Sequence, residues 1–288
     1  MDFPLRQLSP EELPELLREI PSPPKRLFVR GELPSHDTHR YLCVVGSRSA
    51  SPYGRRICQS LISGLAGFPV AIVSGLALGL DAQAHEAALE AGLPTVAILP
   101  AGVGDTHIYP RLNYELAQRI LKKGGALISE QEDGTPLGRW SFPVRDRIMA
   151  GLSHATLVIE AGEKSGTLIT AKLTLDYNRE VLAVPHELGA HAGAGGNRLI
   201  REGATLVRGR EDILQALGLD PQKDGVARRL PGDLTEPELK LFTALIEPLD
   251  RDSLMERAEL GAQDANIALS SLLIRGLIAE RMGKIERI

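Results

Sequence analysis

Two short turns carry the densest set of anion-binding groups in the chain. Gly46-Ser47-Arg48 follows the apolar run 41–45, and Ser165-Gly166-Thr167 follows the run 156–160. Each stands where a strand hands over to a helix, so backbone N–H groups, hydroxyls and the positive end of a helix dipole converge there. Arg48 adds a planar fork of donors that stays charged at any working pH and matches the oxygens of a phosphate. The chemistry this predicts is phosphate binding rather than bond cleavage. Lys164 precedes Ser165 instead of following a glycine, so the second turn is not a Walker loop, and no G-x-S-x-G nucleophile elbow occurs. Only Gly46 lacks a side chain in the first turn, which leaves the G-x-G-x-x-G spacing of a dinucleotide site unmet.

A third stretch, Trp140 to Ser153, interleaves Arg145 and Arg147 with Trp140 and Phe142, and Arg139 stands just before it. Cations hold a nucleic-acid backbone while an exposed ring stacks a base, so this pattern favours a single strand. Arg147, followed by Ile148 and Met149, reads equally well as one half of an internal ion pair, and Phe142 as a core residue. Asp81 and His85 share a helix face at i and i+4, yet no third ligand has metal spacing, and capping or buried hydrogen bonding is the better reading. His186 and His191 flank a glycine-rich loop without a carboxylate or cysteine partner. Cys43 and Cys58 read as small buried hydrophobes. No catalytic residue, metal or cofactor is expected.

The elements that must position these groups follow from the apolar pattern. Seven short runs, at 41–45, 70–73, 95–99, 126–128, 156–160, 181–184 and 204–207, alternate with stretches of helical spacing such as Ile57, Leu61 and Leu65. That predicts an α/β fold: an extended Rossmann-like, doubly wound, mostly parallel sheet over residues 40–218. Residues 1–39 read as a short N-terminal helix and strap, and 219–234 as a linker. Residues 235–288 read as three helices and a β-hairpin around Met282-Gly283-Lys284, the order of a winged helix. That last segment carries 7 Lys and Arg against 10 Asp and Glu, which favours a protein contact or a weak accessory role over duplex DNA in a major groove.

The chain of 288 residues is 43% hydrophobic with a net charge of −4, so any nucleic-acid contact must be a local patch. No apolar run approaches the roughly 20 residues that span a bilayer, and the start lacks a signal peptide's pattern; no membrane association and a cytoplasmic location are expected.

Taken in order, V-V-G-S-R-x-A-S-P-Y-G-R at 44–55, S-G-L-A-L-G-L-D-A-x-A-H at 74–85, Y-P at 109–110, F-P-x-R-x-R-I at 142–148, S-G-T-L-I-T-A at 165–171 and G-N-R-L-I at 196–200 resemble the DNA-processing protein A (DprA/Smf) family. The resemblance runs over roughly residues 20–288. It implies a non-enzymatic homodimer that binds single-stranded DNA, displaces single-strand binding protein and loads the recombinase RecA onto incoming strands in natural transformation. It places Gly46, Ser47 and Arg48 on a DNA phosphate, with Arg139, Phe142, Ser165, Gly166 and Thr167 lining the same pocket. Arg145, Arg147, Lys164 and Asn197 complete the implied DNA-binding set. Two departures stand out. The family usually has Arg-Asn-Arg where this chain has Arg145-Asp146-Arg147, so a carboxylate stands beside the groove and weakens DNA binding or ties up an arginine. The N-terminal helical domain common in the family is reduced to about 30 residues.

The rival enzymatic reading is a nucleotide phosphoribohydrolase of the lysine-decarboxylase-like branch, whose P-G-G-x-G-T-x-x-E signature ends in a glutamate acting on the ribosyl bond. Here the residue three beyond Thr167 is Thr170, and the carboxylate is missing.

Overall fold

The computed structural model describes residues 3–225, 234–245, 248–274, 277–281 and 283–287. The chain divides into two compact units, Met1–Val226 and Ala227–Ile288. In the first, chain order runs β1 (Leu5–Leu8), α1 (Glu15–Arg18), β2 (Leu27–Gly31), β3 (Arg40–Gly46), α2 (Pro52–Ser63), β4 (Val70–Ser74), α3 (Leu80–Glu90), β5 (Thr95–Ile98) and α4 (Tyr114–Lys122). It continues with β6 (Ala126–Ser129), α5 (Ser141–Leu152), β7 (Ala155–Glu160), α6 (Thr167–Asp176), β8 (Glu180–Ala183), α7 (Ala194–Arg201), β9 (Thr205–Leu206) and α8 (Arg210–Ala216).

These strands form one nine-stranded sheet in the order β1-β2-β6-β5-β4-β3-β7-β8-β9. The seven strands from β3 to β9 are parallel, as the buried apolar runs predict. Because side chains alternate across a strand, β3 feeds two cores. Tyr41, Cys43 and Val45 pack on the face that carries Ile148, Met149 and Leu152 of α5. Leu42 and Val44 pack on the other face, against Cys58 and Ile62 of α2 and Ala84 and Ala88 of α3.

The N-terminal segment departs from expectation. Beyond a short helix it holds β1 and β2, which pair antiparallel with each other and extend the sheet past β6, with Phe28 opposite Ser129. The buried run Leu27-Phe28-Val29 completes that edge.

In the second unit, α9 (Glu236–Ala244), α10 (Arg251–Arg257) and α11 (Ala262–Ile274) precede an antiparallel hairpin of β10 (Ile278–Arg281) and β11 (Lys284–Arg287). Leu249 bridges to Ile285, and Leu241, Phe242, Leu254, Leu269, Ile278 and Ile285 share one core. Helix α10 is capped by Asp250, whose carboxylate accepts from the N–H of Ser253 at 2.9 Å, two residues before the start expected at Asp252. Met282 of the expected turn and Gly276 of the expected third helix lie outside the described residues, as does the 226–233 part of the linker.

Candidate functional site

The chain leaves β3 toward β4, β5 and β6, then returns to place β7 on the opposite side of β3. At such a switch point the loops leaving adjacent carboxyl ends diverge and open a crevice. Both anion-binding turns border it. A cleft of about 450 Å³ there is lined by Gly46, Ser47, Arg48, Phe142, Ser165 and Thr167 among others.

The first turn is held from two sides. Ser47 donates its N–H to the carbonyl of Glu160 at 2.9 Å, and its own carbonyl accepts from the N–H of Leu80 at 3.1 Å. The Ser47 N–H is therefore committed to β7 and unavailable to a ligand, contrary to the simple picture of an open backbone nest. Gly79, with φ +82°, lets the loop after β4 press beneath this turn: a Cβ there would stand 2.3 Å from the Ser47 carbonyl oxygen. Pinned in this way, the turn projects Arg48 into solvent with its guanidinium carbon 5.3 Å from the centre of the Phe142 ring. Phe142 in turn meets the edge of Tyr109, with ring centres 6.0 Å apart.

The second turn is closed internally. Ser165 Oγ donates to Thr167 Oγ1 at 2.9 Å and accepts from the Thr167 N–H at 3.3 Å, while the Ser165 N–H goes to the carbonyl of Gly162. Among the described residues, none accepts from the N–H of Gly166, at the start of α6, or from that of Arg48. These two N–H groups, the hydroxyls and the Arg48 fork are what the cleft offers an anion.

The remaining arginines divide. Arg139 is exposed, as is Lys164. Arg145 is 8% exposed and turned inward. It donates from Nη1 to the carbonyl of Gly75 at 2.6 Å and from Nε to Asp146 Oδ1 at 2.9 Å. Gly75 is required there, because a Cβ would lie 1.8 Å from that Nη1. Arg147 donates to both carboxylate oxygens of Glu130, at 2.6 and 2.5 Å. Asn197 donates to the carbonyl of His186 and accepts from its N–H, tying α7 to the loop after β8. Arg145, Arg147 and Asn197, expected as DNA-facing donors, each make hydrogen bonds to the protein here that hold loops in place.

Two carboxylates line the cleft. Asp81 Oδ2 accepts from the N–H groups of Gly75 and Ala77 at 3.2 and 3.4 Å, so it ties down its own loop. Asp146 pairs with Arg145, the outcome in which the extra carboxylate ties up an arginine. Burial raises the pKa of both above the ordinary carboxylate range, opposed in each case by the Arg145 charge and, for Asp146, also by Arg48. His85 is buried against Thr95, with Nδ1 2.7 Å from the hydroxyl, and burial pushes its pKa down to about 3. Asp81 and His85 act structurally, on different partners. Among the described residues no group of three or more His, Cys, Asp or Glu has metal-site geometry.

Tyr109, singled out above only within the Y-P motif and given no role by spacing, is carried by the loop between β5 and α4 across to Phe142. The exposed Trp140, beside Arg139 just ahead of α5, lies half in solvent.

The family model described as DNA recombination-mediator protein A matches residues 6–218. The chain belongs to that family. Among curated relatives, Protein Smf of Escherichia coli is 44% identical over 67% of this chain, a match spanning 51% of that protein's length. DNA processing protein DprA of Bacillus subtilis is 37% identical over 73% of this chain and 70% of its own. The crystal structure of DprA from Streptococcus pneumoniae superposes with a TM-score of 0.68 at 36% identity, covering 74% of each chain. DNA processing protein A from Helicobacter pylori, solved to describe its single-stranded DNA binding mode, aligns with a TM-score of 0.67 at 29% identity over 75% of this chain and 96% of that one.

Proposed function

We propose that this chain is a recombination mediator that binds single-stranded DNA at the switch-point cleft and makes or breaks no covalent bond there. The observation that carries the reading is Arg48, exposed and stacked over Phe142 between two turns with open donors. A phosphate on Arg48, the Gly166 N–H and the Ser165 and Thr167 hydroxyls would leave the neighbouring base beside Phe142. Neither group selects a base, so sequence-indifferent binding follows. The single-stranded DNA binding described for the Helicobacter pylori relative supports the same assignment.

In this reading the protein works as a cytoplasmic homodimer, displaces single-strand binding protein and loads RecA onto incoming strands during natural transformation. Among the described residues no helix is long and apolar enough to cross a membrane. The second unit, with three helices and a hairpin, is read as a winged helix that contacts protein. The phosphoribohydrolase alternative lacks support at the cleft. Thr170 stands where that branch has its glutamate, and the two carboxylates present, Asp81 and Asp146, are engaged by loop N–H groups and Arg145.

Anisotropy titration with labelled oligonucleotides tests the reading. Saturable binding of homopolymeric and mixed single strands with similar affinity, weakening as salt rises, is expected. Release of adenine on incubation with AMP would overturn it. For the partner, RecA filament formation on strands coated with single-strand binding protein should accelerate when the chain is added; no acceleration would remove the loading role.

A further inference from the structure

The cleft is not a simple basic pocket. Two arginines, Arg48 and Arg145, and two aspartates, Asp81 and Asp146, line it. Arg145 lies between the two carboxylates, bonded to Asp146 and electrostatically coupled to Asp81. With both carboxylates ionised, the form favoured by the Arg145 bond to Asp146 and by the loop N–H groups that donate to Asp81, the buried trio carries one net negative charge and Arg48 balances it. A phosphate seated on Arg48 therefore meets a group of four charges that sums to nothing. A singly charged phosphodiester gains directed hydrogen bonds from the Arg48 fork and the open N–H of Gly166. A terminal phosphate monoester, close to doubly charged at neutral pH, brings a second charge that must be desolvated and gains nothing from a balanced cluster.

Resting on the phosphate reading above, we propose that Asp146 makes this cleft selective for the singly charged phosphodiesters inside a strand, against doubly charged terminal phosphates and free mononucleotides. Position 146 decides the sign. With a neutral side chain there, the cluster would carry one positive charge, and the extra charge of a monoester would be attracted. The groups facing Asp146 are Arg145 on its own helix, Asp81 on α3, Arg48 in the turn after β3 and the Cys43 thiol on β3. Of the residues that line the α6 side of the cleft, Ser165, Gly166, Thr167, Ile169 and Thr170, none carries a charge.

The test displaces labelled oligothymidylate from the full chain with either thymidine 5′-monophosphate or its methyl ester, which differ by one charge at about pH 7.5. For the natural chain the ester should displace at a concentration on the order of tenfold lower, the scale of desolvating one extra uncompensated charge at a part-buried site. In Asp146→Asn the ratio should fall to about one or invert. A ratio unchanged in a folded Asp146→Asn protein, or a natural chain that prefers the monoester, would overturn the proposal. The natural chain alone gives a second reading, at about pH 5.5, where the monoester loses most of its second charge. There the preference should fade, and a persistent preference would mean that the methyl group, not charge, is read. If neither compound displaces the oligonucleotide while Arg48→Ala still weakens its binding, the charge filter falls and the single-strand reading stands. If Arg48→Ala changes nothing, both fall.

Discussion

At the carboxyl ends of β3 and β7, Arg48 lies over Phe142 with no hydrogen-bond acceptor among the described residues, whereas near the amino ends of the same strands Arg179 is tied down by backbone carbonyls. There Arg179 donates from Nη1 to the carbonyls of Ala150, Gly151 and Ser153 at 2.9, 2.5 and 2.9 Å, and from Nη2 to that of Leu16. Arg40 stands 3.2 Å from the His154 ring, and the Tyr41 N–H donates to His154 Nδ1 at 2.9 Å. His36 stacks flat on Tyr41 with ring centres 4.0 Å apart. Helix C-termini and strand starts meet at this end and present carbonyls, which consume cations. The opposite rim presents helix N-termini, whose N–H groups leave a cation free to face a ligand. One residue type thus does two jobs, and the direction of the backbone decides which.

The comparison breaks most easily at Arg145, which sits at the ligand rim but behaves like the arginines at the far end. Arg145→Ala would leave Asp81 and Asp146 buried without their shared cation, at a cost of about 3–5 kcal/mol in urea unfolding. A loss below about 1 kcal/mol, with DNA affinity sharply reduced, would make Arg145 a ligand group after all. Arg48→Ala should do the reverse. Stability should hold within about 0.5 kcal/mol, while oligothymidylate affinity falls by about 1.5–3 kcal/mol and the salt slope flattens by about 0.7. An unchanged titration would remove Arg48 from the interface. Phe142→Ala is expected to weaken binding by about 1–3 kcal/mol with the salt slope intact, because stacking releases no counterions. A slope that falls as for Arg48 would show that the ring acts only through the guanidinium above it.

The smallest effect belongs to pH. Burial, with Arg40, His36 and Arg179 nearby, lowers the His154 pKa to about 4, and burial lowers that of His85 to about 3. Between these values and the ordinary histidine range the unfolded chain binds more protons than the folded one. Their contribution is therefore full above about pH 6.5 and is lost as pH falls through the folded values. Asp81 and Asp146, raised by burial, titrate in the opposite sense and partly offset the loss. Urea midpoints followed from pH 7 downward should decline, and His85→Gln should shallow the decline; an equal slope in both proteins would show that His85 is not a contributor.

Much of this organisation is readable in the residues. Strands buried on both faces are continuous apolar runs, so β3 to β8 announce themselves, whereas the order that makes β3 and β7 neighbours emerges only from the pairing. The pair β1 and β2 does not, because its burial depends on an antiparallel partner, β6, about a hundred residues further along. The availability of a cation is equally hidden. The carbonyl that captures Arg145 belongs to Gly75, 70 residues away, and nothing near Arg145 in sequence signals it. The Glu130 that captures Arg147 comes from another loop, although the apolar Ile148 and Met149 beside it hint at an inward-facing helix. The Ser47 N–H is lost to a register shift between β3 and β7 that only pairing reveals.

The most direct measurement is a crystal structure of the full chain with a short oligothymidylate. The account predicts a backbone phosphate within hydrogen-bond reach of the Arg48 guanidinium and the Gly166 N–H, with a base against Phe142. A strand bound elsewhere, with Arg48 left in solvent and the cleft between β3 and β7 empty, would contradict it.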